Sequence, residues 1–485
     1  MIPIADSKYL RSSDYDIKVP FRSILESGAE SVELVCTHIA RILPGKRLVC
    51  FGDLDGQQVV AKFFLDSGGA KRHSARELRG VKAFKTAKIK TPELLFKGRQ
   101  GPENLPVLCF RRIVPSEDLF EAWERQTDDE QRIRLLSRAV AVVADQHKAG
   151  LKQNDLHREN FLLSGEDVYS IDGDAVDVRK MGKPLLKKES LENLALFFTH
   201  LYPHQKHLIP EIFRVYTEKR DWKLTNNLYN QLIEEIQLKK NQRKNEYLKK
   251  TYRECTEFVC HKKWKRFMVC NRDNFSQKMS HLLDNPDQHM DSGELIKAGN
   301  TATLALVKVD ERVVVIKRYN IKNFLHGLRR FFRPSRAWVS WRNAHLLTYM
   351  NIPTPQPIAF MERRWGPFRK SAYFITEYVQ GIPLNHVFSS KSTNTVDIVA
   401  IVKKVGVIIQ SLVDQMIGHG DTKASNFIVT KDDIKIVDLD VMKEYKCKWK
   451  FRRAYKRDSK RFMKNWSDLP EIEHKFQQML SRISR

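Results

Sequence analysis

Asp155, Asn160 and Asp172 form an Asp-x4-Asn-x11-Asp register that recurs further along the chain as Asp421, Asn426 and Asp438. Residues of these types at this spacing suit phosphoryl transfer from ATP. The transition state of that reaction is loose, so the protein mainly positions reactants and neutralises charge. The first acid can accept the proton of an acceptor hydroxyl, while the amide and the second acid are oxygen ligands of the kind Mg2+ prefers. Lys62, mid-strand in Val60-Ala61-Lys62, offers an ammonium to the non-transferred phosphates, and Glu77 in Ala75-Arg76-Glu77-Leu78 can hold it. The expected first site therefore has Asp155 as base, Lys62 and Glu77 as the phosphate clamp, and Asn160 and Asp172 as metal ligands.

The second copy offers Lys317 in Val315-Ile316-Lys317, with Asp421, Asn426 and Asp438. It differs in one respect. Between Arg312 and Met361 there is no Asp or Glu, and superposing Thr91-Pro92 on Thr354-Pro355 puts Ser340 where Glu77 stands. Lys317 thus lacks the helical acid expected to hold it.

The elements around these residues come in the same order twice. Residues 48–51 and 59–64 read as strands around a turn, a helix follows from about 70 to 88, and Thr91-Pro92 stops it. Another strand pair surrounds 106–113, and helices are expected over 117–149 and 189–202. In the second copy, strands at 304–309 and 313–318 precede a helix at 335–350, a Thr-Pro stop and a strand at 372–378. The layout is that of a kinase catalytic loop and metal-binding strand. It predicts an α+β chain of two tandem protein-kinase-like domains, each with a small β-rich N-lobe and a helical C-lobe. The expected boundaries are an N-terminal segment 1–34, a first domain 35–245 (N-lobe to about 115, C-lobe from 116) and a basic connecting region 246–291. The second domain is expected at 292–485, its N-lobe running to about 380 and its C-lobe from 381.

A net charge of +27 implies a polyanionic partner: nucleic acid, an anionic membrane surface or a phosphorylated substrate. Composition does not choose among them. Met1 to Asp16 carries early acids and no signal-like apolar run, and the longest apolar stretch, 396–413, is broken by Lys403 and Lys404. The chain is expected to stay cytoplasmic. Seven cysteines without an export signal argue for free thiols.

The chain resembles the lipopolysaccharide kinase (Kdo/WaaP) family, bacterial sugar kinases with a protein-kinase-like fold. The resemblance rests on Leu43-Pro44-Gly45-Lys46-Arg47 through Lys62, on Asp155-Leu156-His157 with Asn160-Phe161-Leu162-Leu163, and on Ile171-Asp172. In the second copy it rests on Val315 to Asn320, Ser335-Arg336-Ala337-Trp338 and Thr376 to Gly381. It implies ATP and Mg2+ as cofactors and a heptose or Kdo hydroxyl of the lipopolysaccharide inner core as acceptor. It also implies a peripheral position on the anionic inner face of the cytoplasmic membrane. Gly45 and Gly299, the expected cofactor-contacting glycines, stand alone where protein kinases commonly have three. Asp174 and Asp440 replace the glycine of the usual Asp-Phe-Gly, a variation resembling this family's acidic metal segment.

Other features are weighed beside these. Residues 443–466 interleave Lys and Arg with aromatics, which suits either a membrane interface or glycolipid, or a solvated helix with one packed aromatic face. Arg329, Arg330, Arg333 and Arg336 could bind core phosphates. Cys255, Cys260, His261 and Cys270 lack the paired spacing of a zinc knuckle and read better as thiols on strands. His157 reads as a structural histidine, with phosphate contact as the alternative. A pseudokinase-type scaffold that binds core glycolipid or assembly enzymes without phosphoryl transfer is the rival reading. A nucleic-acid-binding phosphotransferase would explain the charge, but no base-reading motif supports it, and no nucleic acid partner is expected.

Overall fold

The computed structural model describes residues 2–13, 16–179, 181–320, 334–365, 368–388 and 397–483. The chain divides into two units, one of residues 1–201 with 205–240 and one of residues 202–204 with 241–485.

In the first unit β1 (Phe21–Ser27), β2 (Glu30–Leu43), β3 (Arg47–Leu54), β4 (Gln57–Phe64), β5 (Leu94–Gln100) and β6 (Leu105–Arg111) form a closed barrel. Its order is β1-β2-β3-β4-β6-β5, and antiparallel pairing of β1 with β5 closes it. Residues 1–34, expected as a segment ahead of the domain, supply β1 and the start of β2. Strand alternation explains where the lysine points. Val59, Ala61 and Phe63 of β4 are buried in the barrel with Leu48, Cys50 and Val107, so Lys62 lies on the opposite face. That face carries Phe64, Leu108 and Phe110 and packs on Ala70, Leu78 and Val81 of helix α1 (Ala70–Thr86).

A helical layer follows, built from α2 (Asp129–Lys148), α3 (Lys187–Phe198) and α4 (Ile209–Lys219). Leu136, Val140, Leu194, Phe198, Phe213 and Tyr216 form its core. Two short hairpin strands, Phe161–Ser164 and Asp167–Ser170, carry the loop that follows Asp155. The helices expected over 117–149 are Leu119–Arg125 and α2; Glu117–Asp118 ahead of them pairs as a strand with Phe161–Ser164, and Asp128 caps α2 by accepting from Gln131 N.

The second unit begins within helix α5 (Asn226–Lys250). Its sheet comprises β7 (Phe258–Lys263), β8 (Arg266–Asn271), β9 (Glu294–Ala298), β10 (Ala302–Val309), β11 (Arg312–Tyr319), β12 (Pro357–Trp365) and β13 (Phe368–Glu377). The order is β7-β8-β12-β13-β11-β10-β9. Residues 246–291, expected to connect two domains, supply β7, β8 and the helices α6 (Gln277–Asp284) and α7 (Pro286–Asp291) of this unit. β8 takes the edge of β12. The corresponding edge of the first sheet, that of β5, is where β1 closes the barrel. Helix α8 (Arg336–Tyr349) follows, with Ser335 as its N-cap, and then α9 (Ile398–Asp414), α10 (Lys448–Met463) and α11 (Pro470–Ile483).

Below each sheet the loops repeat bond for bond. Ile171 N donates to Asn160 O at 3.0 Å and Val437 N to Asn426 O at 2.9 Å. Ser170 N donates to Lys90 O at 2.8 Å and Ile436 N to Pro353 O at 2.9 Å. Asp172 and Asp438 both take the left-handed conformation, at φ 66 and 64, which Asp tolerates better than most residues.

Helix α1 sits directly on the segment after Asp172. A Cβ on Gly80 would lie 2.0 Å from Gly173 O, and one on Gly173 would lie 2.5 Å from Glu77 O. Gly80→Ala must push the two apart. It should destabilise the first unit by about 1–3 kcal/mol, read as a lowered denaturant midpoint. A midpoint equal to that of the natural protein would show that helix and segment do not touch.

Candidate active site

In the first unit Lys62 Nζ donates to Glu77 Oε1 at 2.6 Å. Glu77 is 1% exposed and also accepts from Gly173 N at 3.3 Å and Asp174 N at 3.1 Å. One carboxylate thus ties the lysine strand, helix α1 and the acidic segment together. Asp155 is an exposed carboxylate with His157 Nε2 at 3.5 Å. Asn160 Nδ2 donates to Asp155 O at 2.5 Å, which leaves its Oδ1 as a donor atom for a cation. Asp172 Oδ1 is buried without a hydrogen-bond partner among the described residues, the nearest cation being Arg47 Nη1 at 3.6 Å. An amide oxygen and an orphaned carboxylate oxygen fit a hard cation. They are fewer than the six oxygens Mg2+ takes, so phosphate and water oxygens would complete the shell.

Asp174 is taken up by side chains that the sequence did not single out. Arg47 Nη2 lies at 3.0 Å, Arg76 Nε at 3.1 Å and His73 Nδ1 at 3.2 Å. Arg47 opens β3 just after the turn holding Gly45, which has φ +63 and open space where a Cβ would be. The turn therefore faces the acidic segment through Arg47 rather than through a glycine contact.

Deeper support comes from His147. Fully buried, it contacts Asn193 Oδ1 through Nε2 at 3.0 Å and Tyr216 OH through Nδ1 at 2.8 Å. Asn193 Nδ2 donates to Gln153 O at 2.8 Å, two residues before Asp155, so Asn193 Oδ1 must accept and His147 is a neutral Nε2–H tautomer. Gln153 Nε2 in turn reaches Ile171 O at 3.2 Å. His419 stands at the matching place in the second unit, its Nε2 3.1 Å from Val437 O, and burial lowers its pKa.

The second unit solves the lysine problem differently. Lys317 Nζ donates to Asp438 Oδ1 at 2.5 Å and lies 3.8 Å from Asp440 Oδ2. Burial would depress its pKa, but Tyr319, Asp438 and Asp440 outweigh burial and raise it. Asp438 moves the other way: burial pushes it up, yet Lys317 holds it below the usual carboxylate range. Ser340, in the slot of Glu77, shares a hydrogen bond with Tyr319 OH at 2.7 Å. Arg336 pairs with Asp440, and Asn343 Nδ2 donates to Leu439 O and Met442 O at 2.8 and 2.9 Å. Helix α8 is therefore bound to the acidic segment by an arginine and an amide instead of a glutamate. Asn426 Nδ2 donates to Asp421 O at 2.7 Å, repeating the first copy. The Asp421 carboxylate, by contrast, is held by Arg461 Nε of α10 at 2.8 Å and Lys423 Nζ at 3.4 Å. Gly299 lies in the turn before β10, its N donating to Ala302 O at 3.1 Å and its carbonyl accepting from Asn320.

Arg329, Arg330 and Arg333 lie outside the described residues. In the basic run at 443–466, Phe451, Phe462 and Trp466 are buried, whereas Trp449 is 56% exposed. Cys260 Sγ and Cys270 Sγ face backbone carbonyls of Tyr252 and Asn271 at 3.4 Å. Among the described residues no group of three or more His, Cys, Asp or Glu could hold a metal ion, and no helix is long and apolar enough to cross a membrane.

A sheet carrying a strand lysine, a helix behind it and a helical layer presenting Asp-Asn-Asp make this a mixed α+β, protein-kinase-like fold. The lipopolysaccharide kinase (Kdo/WaaP) family matches residues 66–216 and 291–481, more than half of the chain, and the chain belongs to that family. The family is one of phosphotransferases; membership implies ATP as donor and phosphotransfer related to the lipopolysaccharide core. No curated protein matches. Among solved structures, a rhoptry kinase from Toxoplasma gondii is similar at 12% identity and a TM-score of 0.34, covering 50% of this chain and 91% of that one.

Burial lowers the His147 pKa from 6.5 to about 3, and the charge of Arg220 adds to the effect while Asn193 opposes it. A depressed folded pKa gives stability that is present above 6.5 and lost as pH falls toward 3, because the unfolded chain binds the proton first. By pH 5 the loss should reach about 2 kcal/mol. Denaturant unfolding of the natural protein and His147→Gln at pH 7 and pH 5 checks this, the variant losing less between the two.

Proposed function

We propose that the chain is an ATP- and Mg2+-dependent kinase of two tandem protein-kinase-like domains. Its acceptor is a heptose or Kdo hydroxyl of the lipopolysaccharide inner core, met at the inner face of the cytoplasmic membrane. The first unit carries transfer. The observation behind this assignment is the buried Lys62–Glu77 pair with both backbone amides of the acidic segment on the same carboxylate.

In this reading Lys62, oriented by Glu77, neutralises the non-transferred phosphates. Asp155, exposed at the mouth of its loop, takes the acceptor proton. Asn160 Oδ1 and Asp172 would hold the cation, which when bound would supply charge neutralisation at the phosphates. Arg47 lies 3.6 Å from Asp172 and 3.0 Å from Asp174, where the phosphate oxygens of a nucleotide would compete for it.

The second unit favours the scaffold reading. Lys317 is spent on Asp438, and Asp421 is spent on Arg461, so both groups would have to break an ion pair to work. Its role is to bind nucleotide or glycolipid while the first unit transfers.

Asp155→Asn should lower transfer to purified core acceptor by at least about 100-fold, the scale of a lost general base, while Asp421→Asn keeps most of it. Radiolabel transfer from ATP reads both. Full activity of Asp155→Asn with none in Asp421→Asn would reverse the assignment of units.

A further inference from the structure

Two of the tryptophans in the second unit are exposed, Trp264 at 71% and Trp449 at 56%, and each stands between lysines, as Lys263-Trp264-Lys265 and Lys448-Trp449-Lys450. A tryptophan left in water forgoes the burial of a large apolar ring, and set among ammonium groups it has the amphipathic make-up of an interfacial anchor. Trp264 is the better placed. It forms the tip of the β7–β8 hairpin, where Lys263 pairs with Arg266, and Lys262, Lys263 and Lys265 around it are all exposed.

The hairpin has a neighbour with the same chemistry. β8 pairs with β12, Arg266 opposite Arg363, and Arg364 N donates to Lys265 O at 2.8 Å. β12 thereby brings Arg363 and Arg364 beside the tip. Charge separates into two sets at this sheet end. Arg266, Arg363 and Arg364 are consumed internally by Asp284, Asp287 and Glu362. Lys262, Lys263 and Lys265 have no acid within ion-pair range among the described residues, though Lys262 Nζ lies 5.6 Å from the Phe267 ring centre. Beneath the tip a cavity of about 180 Å³ is lined by His261, Lys263, Arg266, Ser280 and Asp284. Arg266 pairs with one oxygen of Asp284, and Lys263 adds a cation to the wall that no acid among the described residues engages.

We propose that this sheet end docks the second unit on an anionic phospholipid bilayer. Trp264 sits at the level of the headgroups, Lys262, Lys263 and Lys265 meet the surface charge, and His261, Lys263 and Ser280 accept a headgroup phosphate in the cavity. An indole flanked by ammonium groups on a protruding tip matches the layered polarity of a membrane interface, apolar below and anionic above. A nucleic acid would call for a groove that tracks a backbone, with aromatics along it; this is a tip. The proposal rests on the kinase reading only in that a lipid-linked acceptor calls for work at a bilayer.

The test is flotation of the full chain with vesicles of phosphatidylglycerol and phosphatidylcholine, against vesicles of phosphatidylcholine alone. Binding is expected only to the anionic vesicles and should weaken as salt rises. Lys263→Glu with Lys265→Glu should lower partitioning at least about tenfold, Trp264→Ala several-fold, and Trp449→Ala hardly at all. Brominated lipid should quench tryptophan emission less in Trp264→Phe than in the natural protein. Matching melting temperatures keep misfolding from imitating the loss, and Lys263→Gln with Lys265→Gln gives a milder second pair. Hairpin variants that bind as the natural protein does would overturn the proposal. So would loss on Trp449→Ala alone, or hairpin variants that lose RNA affinity while keeping vesicle binding. Transfer to a soluble core oligosaccharide should be unchanged in the hairpin variants. If the natural protein transfers nothing, the kinase reading fails while the vesicle result still stands.

Discussion

Glu77 lies on the inner face of helix α1 with 1% exposure, in a place where an ionised carboxylate is tolerable only if its oxygens are fully engaged. They are engaged by one ammonium from β4 and two backbone amides from the segment after Asp172. The proposed chemistry of the first unit depends on this junction, because the acceptor and its donors come from three separately positioned elements: helix α1, β4 and the segment after Asp172. Remove the carboxylate and Lys62 becomes a half-buried cation beside Phe110, while Gly173 N and Asp174 N lose their acceptor. Breaking a buried pair by taking one partner costs about 3–5 kcal/mol in general, most of it the stranded charge. The close approach of Gly80 to Gly173 follows from the same requirement: the helix must come near enough for a short side chain to reach backbone amides.

The second unit shows what happens when that acid is absent. Ser340 reaches no further than Tyr319, so the lysine finds the nearest carboxylate, which is the residue expected to ligand the metal. The helix is then coupled to the acidic segment by Arg336 and Asn343. Architecture survives because any set of polar contacts can join helix to segment. The chemistry is less forgiving, since a lysine neutralising Asp438 and an arginine neutralising Asp421 remove the free charges that transfer calls for.

Much of this was legible from residues alone, and the limits are physical. Lys62 with Glu77, and the gap at Ser340, could be read because strand and helix are adjacent and the Thr-Pro stops align the copies. The pairing of Arg47 or Arg336 with Asp174 or Asp440 could not be read that way. Each joins elements about a hundred residues apart, and nothing local reports such a contact. The only available hint was that Asp174 and Asp440 recur in register. β7 and β8 escaped pattern reading for another reason: β8 is buried along its middle and β7 is exposed along its outer half, so neither shows the alternation that announces a half-buried strand. β2 is similar, with two irregularities in its pairing to β3 that break the period.

The surplus of positive charge sorts by place. At the two sites arginines face acids: Arg47 and Arg76 meet Asp174, Arg336 meets Asp440, and Arg461 meets Asp421. Guanidinium suits such places, being planar, always charged and less strongly hydrated than ammonium. Within each site the cations and acids nearly balance, so the sites themselves cannot account for a net +27. The excess lies instead on exposed cations with no acid beside them among the described residues, as at Lys262, Lys263 and Lys265 around Trp264. A charge kept in water adds little to folding and is weakened by salt, but it acts at a distance on any polyanion that approaches. The chain's basicity is therefore a property of its surfaces, and it concerns where the protein goes before it concerns what the sites do there.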